Sequence, residues 1–414
     1  MSVRLRWFPL TSAAALVLAC GDGPFDPIND LPRPLSVAEG ALVEADNRFA
    51  FKLFREIARQ DTSDGNLFVS PLSVAMALGM AYNGTAGTTR DAMQQALELQ
   101  GLTIDELNTA YRSLIDLLRG LDTRVEFTLA NSIWHDQTAT PLPAFVDATT
   151  TYFDATVQGL DFRAASAAPT INQWVSDATR GKIEEIVDDP IPWDVIAYLI
   201  NAIYFKGDWT YQFDESLTAP GPFDQPDGST VEVQMMAYGE DTPVRLSALD
   251  GYQILDLAYG GQAYSMTIVL PPAPADAVTL AQQLTQDQWN AWVAALDSTA
   301  RDVRMPRYTL EWEDDLKNVL STLGMAETFC PNPADLTNMF EGVRPGDLCF
   351  TEVKHKTFID VNEEGTEAAA VTSVGVGYTS TGPQPVVIDR PFLFAIRERF
   401  SGTILFMGRI VDPR

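Results

Sequence analysis

The sequence predicts an α+β fold, and three observations carry that expectation. Helical periodicity dominates the early part of the chain and strand periodicity the late part. Strands and helices do not alternate regularly, which disfavours a doubly wound parallel sheet. No linker-like stretch interrupts residues 37–414, so they read as one large domain. The chain has 414 residues, 46% of them hydrophobic, which is enough to bury a large core.

The N-terminus reads as a processing signal. Arg4 and Arg6 precede an apolar run, Trp7 to Ala19, too short to span a bilayer comfortably. Val17-Leu18-Ala19-Cys20, followed by Gly21-Asp22, resembles a bacterial lipobox, in which the cysteine is lipidated and becomes the first mature residue. An ordinary export signal with an incidental cysteine is the alternative. Residues 1–19 are thus expected to be a signal peptide. Residues 20–36, with Pro24, Pro27, Pro32 and Pro34, are expected to be a stiff tether. The expected location is a membrane surface reached through the Cys20 lipid, periplasmic or on the cell exterior, or else secretion. No later run is long and apolar enough for a transmembrane helix.

The formal net charge is -28, and loss of residues 1–19 would make the chain more acidic still. Such acidity disfavours nucleic acid and anionic lipid surfaces as partners. No Lys/Arg cluster offers a seat for a heparin-like polyanion. Interspersed charge of this kind also simply keeps a chain soluble.

Val37 to Arg59 carries Leu42, Phe49, Leu53, Phe54 and Ile57 near helical spacing. Asn66-Leu67-Phe68-Val69 is a short apolar run. Ser70 before Pro71 reads as a helix cap before a first-turn proline. Thr88 to Leu97 and Thr103 to Leu118 read as further helices. Arg124 to Trp134 puts Val125, Phe127, Leu129, Asn131 and Ile133 on one face of a strand. Ala168 to Val187 reads as an amphipathic helix and its exit. Tyr198 to Phe205, nearly all apolar but for Asn201, reads as a strand buried on both faces. Tyr252 to Ala258 and Tyr264 to Leu270 are expected strands. Val278 to Leu296 is expected to hold helices, Val303 to Trp312 a strand, and Glu313 to Leu323 a helix. Phe350 to Val361, Arg390 to Arg397 and Thr403 to Ile410 close the chain as strands.

One stretch does not fit a compact domain. Glu363 to Val387 separates two strands, and a connection that long is usually functional or disordered. Its Val, Ala and Thr content, and its lack of charge after Glu367, disfavour disorder. Thr366, Ala368, Ala370, Thr372, Val374 and Val376 share one face at strand period. All are small or β-branched, so this loop could enter a crowded sheet. Gly365 supplies hinge freedom. A plain exposed loop, or a helix around Ala368-Ala369-Ala370, is the plainer alternative.

Context favours the loop that becomes a strand. Asn66 to Ser73, Ile171-Asn172-Gln173-Trp174-Val175, Thr179 to Ile183 and Asn201-Ala202-Ile203-Tyr204-Phe205-Lys206-Gly207-Asp208-Trp209 stand in a set order. Asp315-Leu316-Lys317, Leu323-Gly324-Met325, His355-Lys356-Thr357-Phe358, Val361 to Ala370, Arg390 to Phe394 and Phe406-Met407-Gly408-Arg409 follow. Over essentially all of residues 37–414 the chain resembles the serpin family.

The resemblance implies three β-sheets, about nine helices, a metastable fold and an exposed reactive-centre loop at about 363–389. It implies a serine protease as covalent partner, a monomer, no cofactor and no metal. A protease would cleave the loop and be trapped as the loop inserts into the central sheet. Matched by position, Glu363, Gly365, Thr366, Ala368, Ala369 and Ala370 form the hinge, and Glu363 and Trp209 the breach where insertion begins. Ser70, Ser73, Asn201 and His355 match the shutter beneath the sheet. Counting forward from the hinge places the reactive bond at Thr379–Ser380, and counting back from Pro391 places it at Ser380–Thr381. Thr before the bond suits elastase-like or subtilisin-like proteases. A bond at Tyr378–Thr379 would suit a chymotrypsin-like one.

Cys330 and Cys349 bracket a turn-rich segment, and an exported chain can join them. Two free buried thiols are the alternative. Two other functional classes compete with protease inhibition. A non-inhibitory chaperone or binding protein of the same family often carries bulky or charged hinge residues, whereas this hinge keeps Gly365, Thr366 and three alanines. An enzyme finds little support: His135 and His355 are the only histidines, and no nucleophile elbow, zinc spacing or phosphate loop occurs.

Overall fold

Several helices start at side-chain caps. Ser36 Oγ accepts from Glu39 N–H while the Glu39 carboxylate accepts from Ser36 N–H, which opens helix Val37–Gln60. Thr103 and Glu106 repeat the device before helix Ile104–Gly120. Ser70 Oγ accepts from Ser73 N–H, and Pro71 begins helix Pro71–Asn83. The computed structural model describes residues 27–273, 276–366 and 384–414. Among these are nine α-helices and three sheets, an α+β architecture.

The seven-stranded sheet runs Leu67–Val69, Ile404–Ile410, Phe392–Glu398, Tyr264–Leu270, Tyr252–Tyr259, Thr242–Leu249, Asp297–Arg301. The four-stranded sheet runs Val386–Val387, Val303–Pro306, Thr230–Ala237, Ala219–Asp224. The six-stranded sheet runs Tyr308–Asp315, Lys354–Val361, Gly365–Thr366, Ala197–Asp208, Val125–Asp136, Ala155–Leu160. Its outer face is covered by helix Ala167–Ala178, where Ile171 and Val175 pack with Trp134, Tyr198 and Ile200. Its inner face lies on the main core, which includes Met76 and Val74 of helix Pro71–Asn83.

Several expectations shift. Val303 to Trp312 is two strands in different sheets. Val303–Pro306 joins the four-stranded sheet and Tyr308–Asp315 the six-stranded one. Proline has no N–H for a ladder, and the chain changes sheets just after Pro306. The helix expected from Glu313 is shorter, Lys317–Leu320. Asp314 and Asp315 instead extend a strand opposite His355 and Lys354. The strand Ala197–Asp208 is not evenly buried: Tyr198, Ile200, Ala202 and Tyr204 are buried, while Ala197, Leu199, Asn201 and Ile203 are half-buried. Helix Pro143–Phe153 and strands Ala155–Leu160, Ala219–Asp224, Thr230–Ala237, Thr242–Leu249 and Asp297–Arg301 had no clear sequence signal.

Candidate functional site: a slot in the six-stranded sheet

The uneven burial of Ala197–Asp208 has a cause in the sheet. Its Ala197–Lys206 portion pairs with Val125–Asp136 on one side only, among the described residues. Lys354–Asp360 likewise pairs only with Tyr308–Asp315. These two strands face each other across a slot. At about 3.4 Å per residue, Lys354–Val361 makes that slot roughly 24 Å long. Backbone N–H and C=O groups along such an edge form a template for one more strand.

Among the described residues, only the top of the slot is bridged. Gly365 and Thr366 sit opposite Asp208 and Gly207 on one side, and Thr366 opposite Val361 on the other. The bridge needs a glycine. A Cβ at Gly365 would collide with the Gly207 carbonyl oxygen and lie 2.7 Å from Asp208 Cα. Thr366 is 3% exposed, and its Oγ1 lies 2.7 Å from Tyr259 Oη. The Tyr259 ring stacks on Trp209 at 4.4 Å. Burial pushes the Tyr259 hydroxyl far above its usual range, so it stays neutral and can share a proton with Thr366.

Trp209 ties this end together. Its Nε1–H donates to Asn362 O at 2.9 Å, and its backbone N–H donates to Glu364 O at 2.7 Å. Glu363 is buried at the same place. Thr218 Oγ1 donates to Glu363 Oε1 at 2.6 Å, and Arg307 Nη1 approaches the same oxygen at 3.8 Å. Phe213 N–H donates to Glu363 O at 2.9 Å. Below Thr366 the slot narrows to a cavity of about 20 Å³ lined by Ile203, Phe205, Phe358 and Ile359.

The first turn of helix Pro71–Asn83 lies under mid-slot and holds both strands. Ser70 N–H donates to His355 Nε2 at 3.0 Å, reaching one strand. Ser73 Oγ donates to Asn201 O at 3.1 Å, reaching the other. Ser70 Oγ donates to Leu405 O at 2.8 Å and accepts from Ser73 N–H. Asn201 Nδ2 donates to Asn131 Oδ1 at 2.7 Å. His355 is 5% exposed, and burial pushes its imidazole down to about 4, so at neutral pH it accepts from Ser70. Widening the slot must break or shift the Ser70–His355 and Ser73–Asn201 contacts. At the lower end, Cys330 is joined to Cys349, with Cα atoms 5.3 Å apart. Phe350 follows directly and leads toward Lys354.

The family model described as serpin (serine protease inhibitor) matches residues 44–413. The chain belongs to the serpin family. The leukocyte elastase inhibitor of Homo sapiens is 34% identical over 390 residues, covering 90% of this chain and 99% of that relative. Among solved structures, the native form of a thermophilic serpin, tengpin, superposes with a TM-score of 0.80 at 25% identity, covering 94% of this chain and 97% of that one. Thyroxine-binding globulin in complex with thyroxine superposes with a TM-score of 0.79 at 26% identity, covering 90% of this chain and 99% of that one.

In this serpin, Ser70, Ser73, Asn201 and His355 meet in one network beneath the slot, and Glu363, Gly365, Thr366 and Trp209 meet at its top. Ala368, Ala369, Ala370, Tyr378, Thr379, Ser380 and Thr381 lie outside the described residues, as does Cys20. Sequence reasoning missed Tyr259, Asn362, Thr218 and Arg307. Tyr259, Thr218 and Arg307 sit in no local motif, because each contacts the hinge from a distant element, and Asn362, inside the run Val361 to Ala370, was not singled out from it. It also did not separate Thr357, whose Oγ1 donates to Phe68 O at 2.6 Å, from the run that carries it.

Proposed function

We propose that this serpin is a suicide-substrate inhibitor of serine proteases of the elastase, subtilisin or chymotrypsin type. One observation carries the reading: among the described residues the two facing strand edges are bridged only by Gly365–Thr366, the residues that lead into the segment of inserting-strand pattern. The protease serine attacks the carbonyl of Thr379, or of Tyr378 or Ser380 in the neighbouring registers. An ester forms, and the amine of the next residue leaves. The upstream piece, freed from the downstream one, then adds to the ladder below Thr366.

Each new ladder bond contributes about 1 kcal/mol net, so a strand of about fourteen residues gains on the order of 10 kcal/mol. The ester-linked protease travels with the strand. Displacement of about 1 Å in its active site lowers the rate roughly 100-fold, and loss of oxyanion contacts lowers it further. Hydrolysis of the ester stalls, and the covalent complex persists.

The likeness to an elastase inhibitor supports this reading. The likeness to thyroxine-binding globulin supports a second, a non-inhibitory chaperone or binding protein. Incubation with elastase, subtilisin and chymotrypsin, followed by denaturing gels and mass spectrometry, decides between them. We expect an SDS-stable complex and a small C-terminal fragment beginning near Ser380. Clean cleavage without complex across a broad protease panel would sink the inhibitory reading in favour of the second.

The reading extends to partners and place. The chain works as a monomer, held at a membrane through a lipid on Cys20 and needing no heparin-like polyanion. Cys20→Ala is expected to release the protein from the membrane fraction, and unchanged fractionation would refute the anchor.

A further inference from the structure

The lower half of the slot opens into a cavity of about 290 Å³. Small-molecule sites start at roughly that size. Ala77 and Ala81 of helix Pro71–Asn83 line its inner side, and Val187 and Asp194 of the segment after helix Ala167–Ala178 line its outer side. The walls are mostly apolar. Yet Tyr198 Oη, Asn201 Oδ1 and Glu352 Oε1, all on lining residues, are buried without a hydrogen-bond partner among the described residues. Tyr198 is only 9% exposed. Asn Oδ1 and a carboxylate oxygen are acceptors, and a phenol can also accept.

The charges at this cavity are unbalanced. Lys354 and Lys356 line it, but their ammonium groups are engaged, at 2.7 Å from Asp188 and 3.4 Å from Glu313. Glu352 and Asp194 line it too, and neither has a cation in ion-pair contact among the described residues. Burial raises the Glu352 carboxyl above its usual range, as do Asp188, Asp315 and Asp194, while Lys354 opposes them. The site offers apolar walls, surplus acceptors and an unneutralised carboxyl.

We propose that this cavity binds a small amphipathic amine, with its apolar body between the two strands and its ammonium donating to Glu352 and Tyr198. A neutral or anionic head on the same body leaves Glu352 without its counter-charge. An occupant also blocks the lower slot and so converts trapping into plain cleavage. That consequence rests on the inhibitory reading, whereas the binding does not.

The probes are 4-phenylbutylamine, 4-phenylbutanol and 4-phenylbutyrate, which share a body and differ in head charge. Titration calorimetry on the intact chain, with no protease present, is expected to give one saturable site for the amine. Its Kd should lie at least about tenfold below those of the other two, a difference of about 1.4 kcal/mol. Glu352→Gln keeps the shape and removes the charge, and should bring the amine to the level of the alcohol. Ala77→Phe, at a half-buried wall position, should fill the cavity and abolish binding of the amine. Equal affinity for the three probes, no saturable amine binding, or an amine affinity untouched by Glu352→Gln overturns the proposal. A protease assay separates the two readings. Amine that binds yet leaves trapping intact overturns the slot block. A chain that binds amine but never traps a protease refutes the inhibitory reading and upholds the amine site.

Discussion

The seven-stranded and six-stranded sheets use similar strands but are closed in opposite ways. In the first, Tyr264–Leu270, Phe392–Glu398 and Ile404–Ile410 are buried along their whole length, and each is paired on both sides. Even its charges are fixed. Arg397 Nη2 lies 3.0 Å from Asp256 Oδ1, and Ser265 and Thr267 donate to the same oxygen. Burial would raise the Asp256 carboxyl, but Arg397, Thr267 and Arg399 together hold it below its usual range. In the six-stranded sheet two edges face each other among the described residues, and hydroxyls, an amide and a neutral imidazole tie them from beneath at mid-slot. On the proposed mechanism one sheet resists and the other yields. A molecule that must move a partner needs both, because work done in opening one sheet is lost if the frame deforms with it.

The largest test of that contrast is Thr366→Arg. A guanidinium at this buried position, where Thr366 Oγ1 meets the neutral Tyr259 hydroxyl, loses its hydration and blocks entry to the slot. The SDS-stable complex should disappear while cleavage near Ser380 continues. Undiminished trapping would mean that the slot is not the route.

Asp256→Ala attacks the rigid sheet instead. It strands Arg397 in the core and should lower stability to denaturant by about 3–5 kcal/mol. The fraction of protease trapped by the folded protein should not change. A matched loss of trapping would erase the distinction between frame and gate.

Next comes pH. His355 is held at about 4 in the fold against an ordinary 6.5. The neutral ring favours the folded state, so this stability is fully present above about pH 6.5. It drains as pH falls toward 4, by about 3 kcal/mol in all. Asp46 runs the other way over much of that window, since burial pushes it up to about 7 and its protonated form favours the fold. The informative quantity is therefore the wild-type curve minus that of His355→Gln, measured by denaturation from pH 4 to 8. A flat difference would remove His355 from the account of the gate. Smallest is Ser70→Ala, which removes a helix cap and a bond to Leu405 and should lower stability by about 1 kcal/mol.

The sequence made some parts of this molecule plain. Ser70-Pro71 could be read as a cap because capping chemistry is local. Asn131 among inward apolar residues could be read as a buried polar contact because a strand has a fixed period, and its Nδ2 does donate to Phe153 O at 2.6 Å. The sheet change at Pro306 was hidden, since Val303 to Trp312 has strand character throughout and only tertiary pairing divides it. The edge strands Ala219–Asp224 and Asp297–Arg301 were hidden because most of their side chains are exposed, which removes the alternation. At the slot, the hinge residues lie consecutively and could be found. Tyr259 reaches them from another sheet and Arg307 from the link between Pro306 and Tyr308, so no spacing announces them.

The sheet change at Pro306 has a topological consequence. Val303–Pro306 carries the parallel pairing of Val386–Val387, while Tyr308 follows two residues later and lies opposite Val361, the partner of Thr366. Both ends of the stretch from Thr366 to Val386 are therefore moored to a single short run of chain. Until a peptide bond within it is cut, that stretch is a closed ring. An intact ring can feed the slot only as far as its slack allows, unless Val386–Val387 leaves its ladder. A severed one has no such limit. On the proposed mechanism the fold thus meters covalent continuity: it would tell a partner that cuts from one that merely grips.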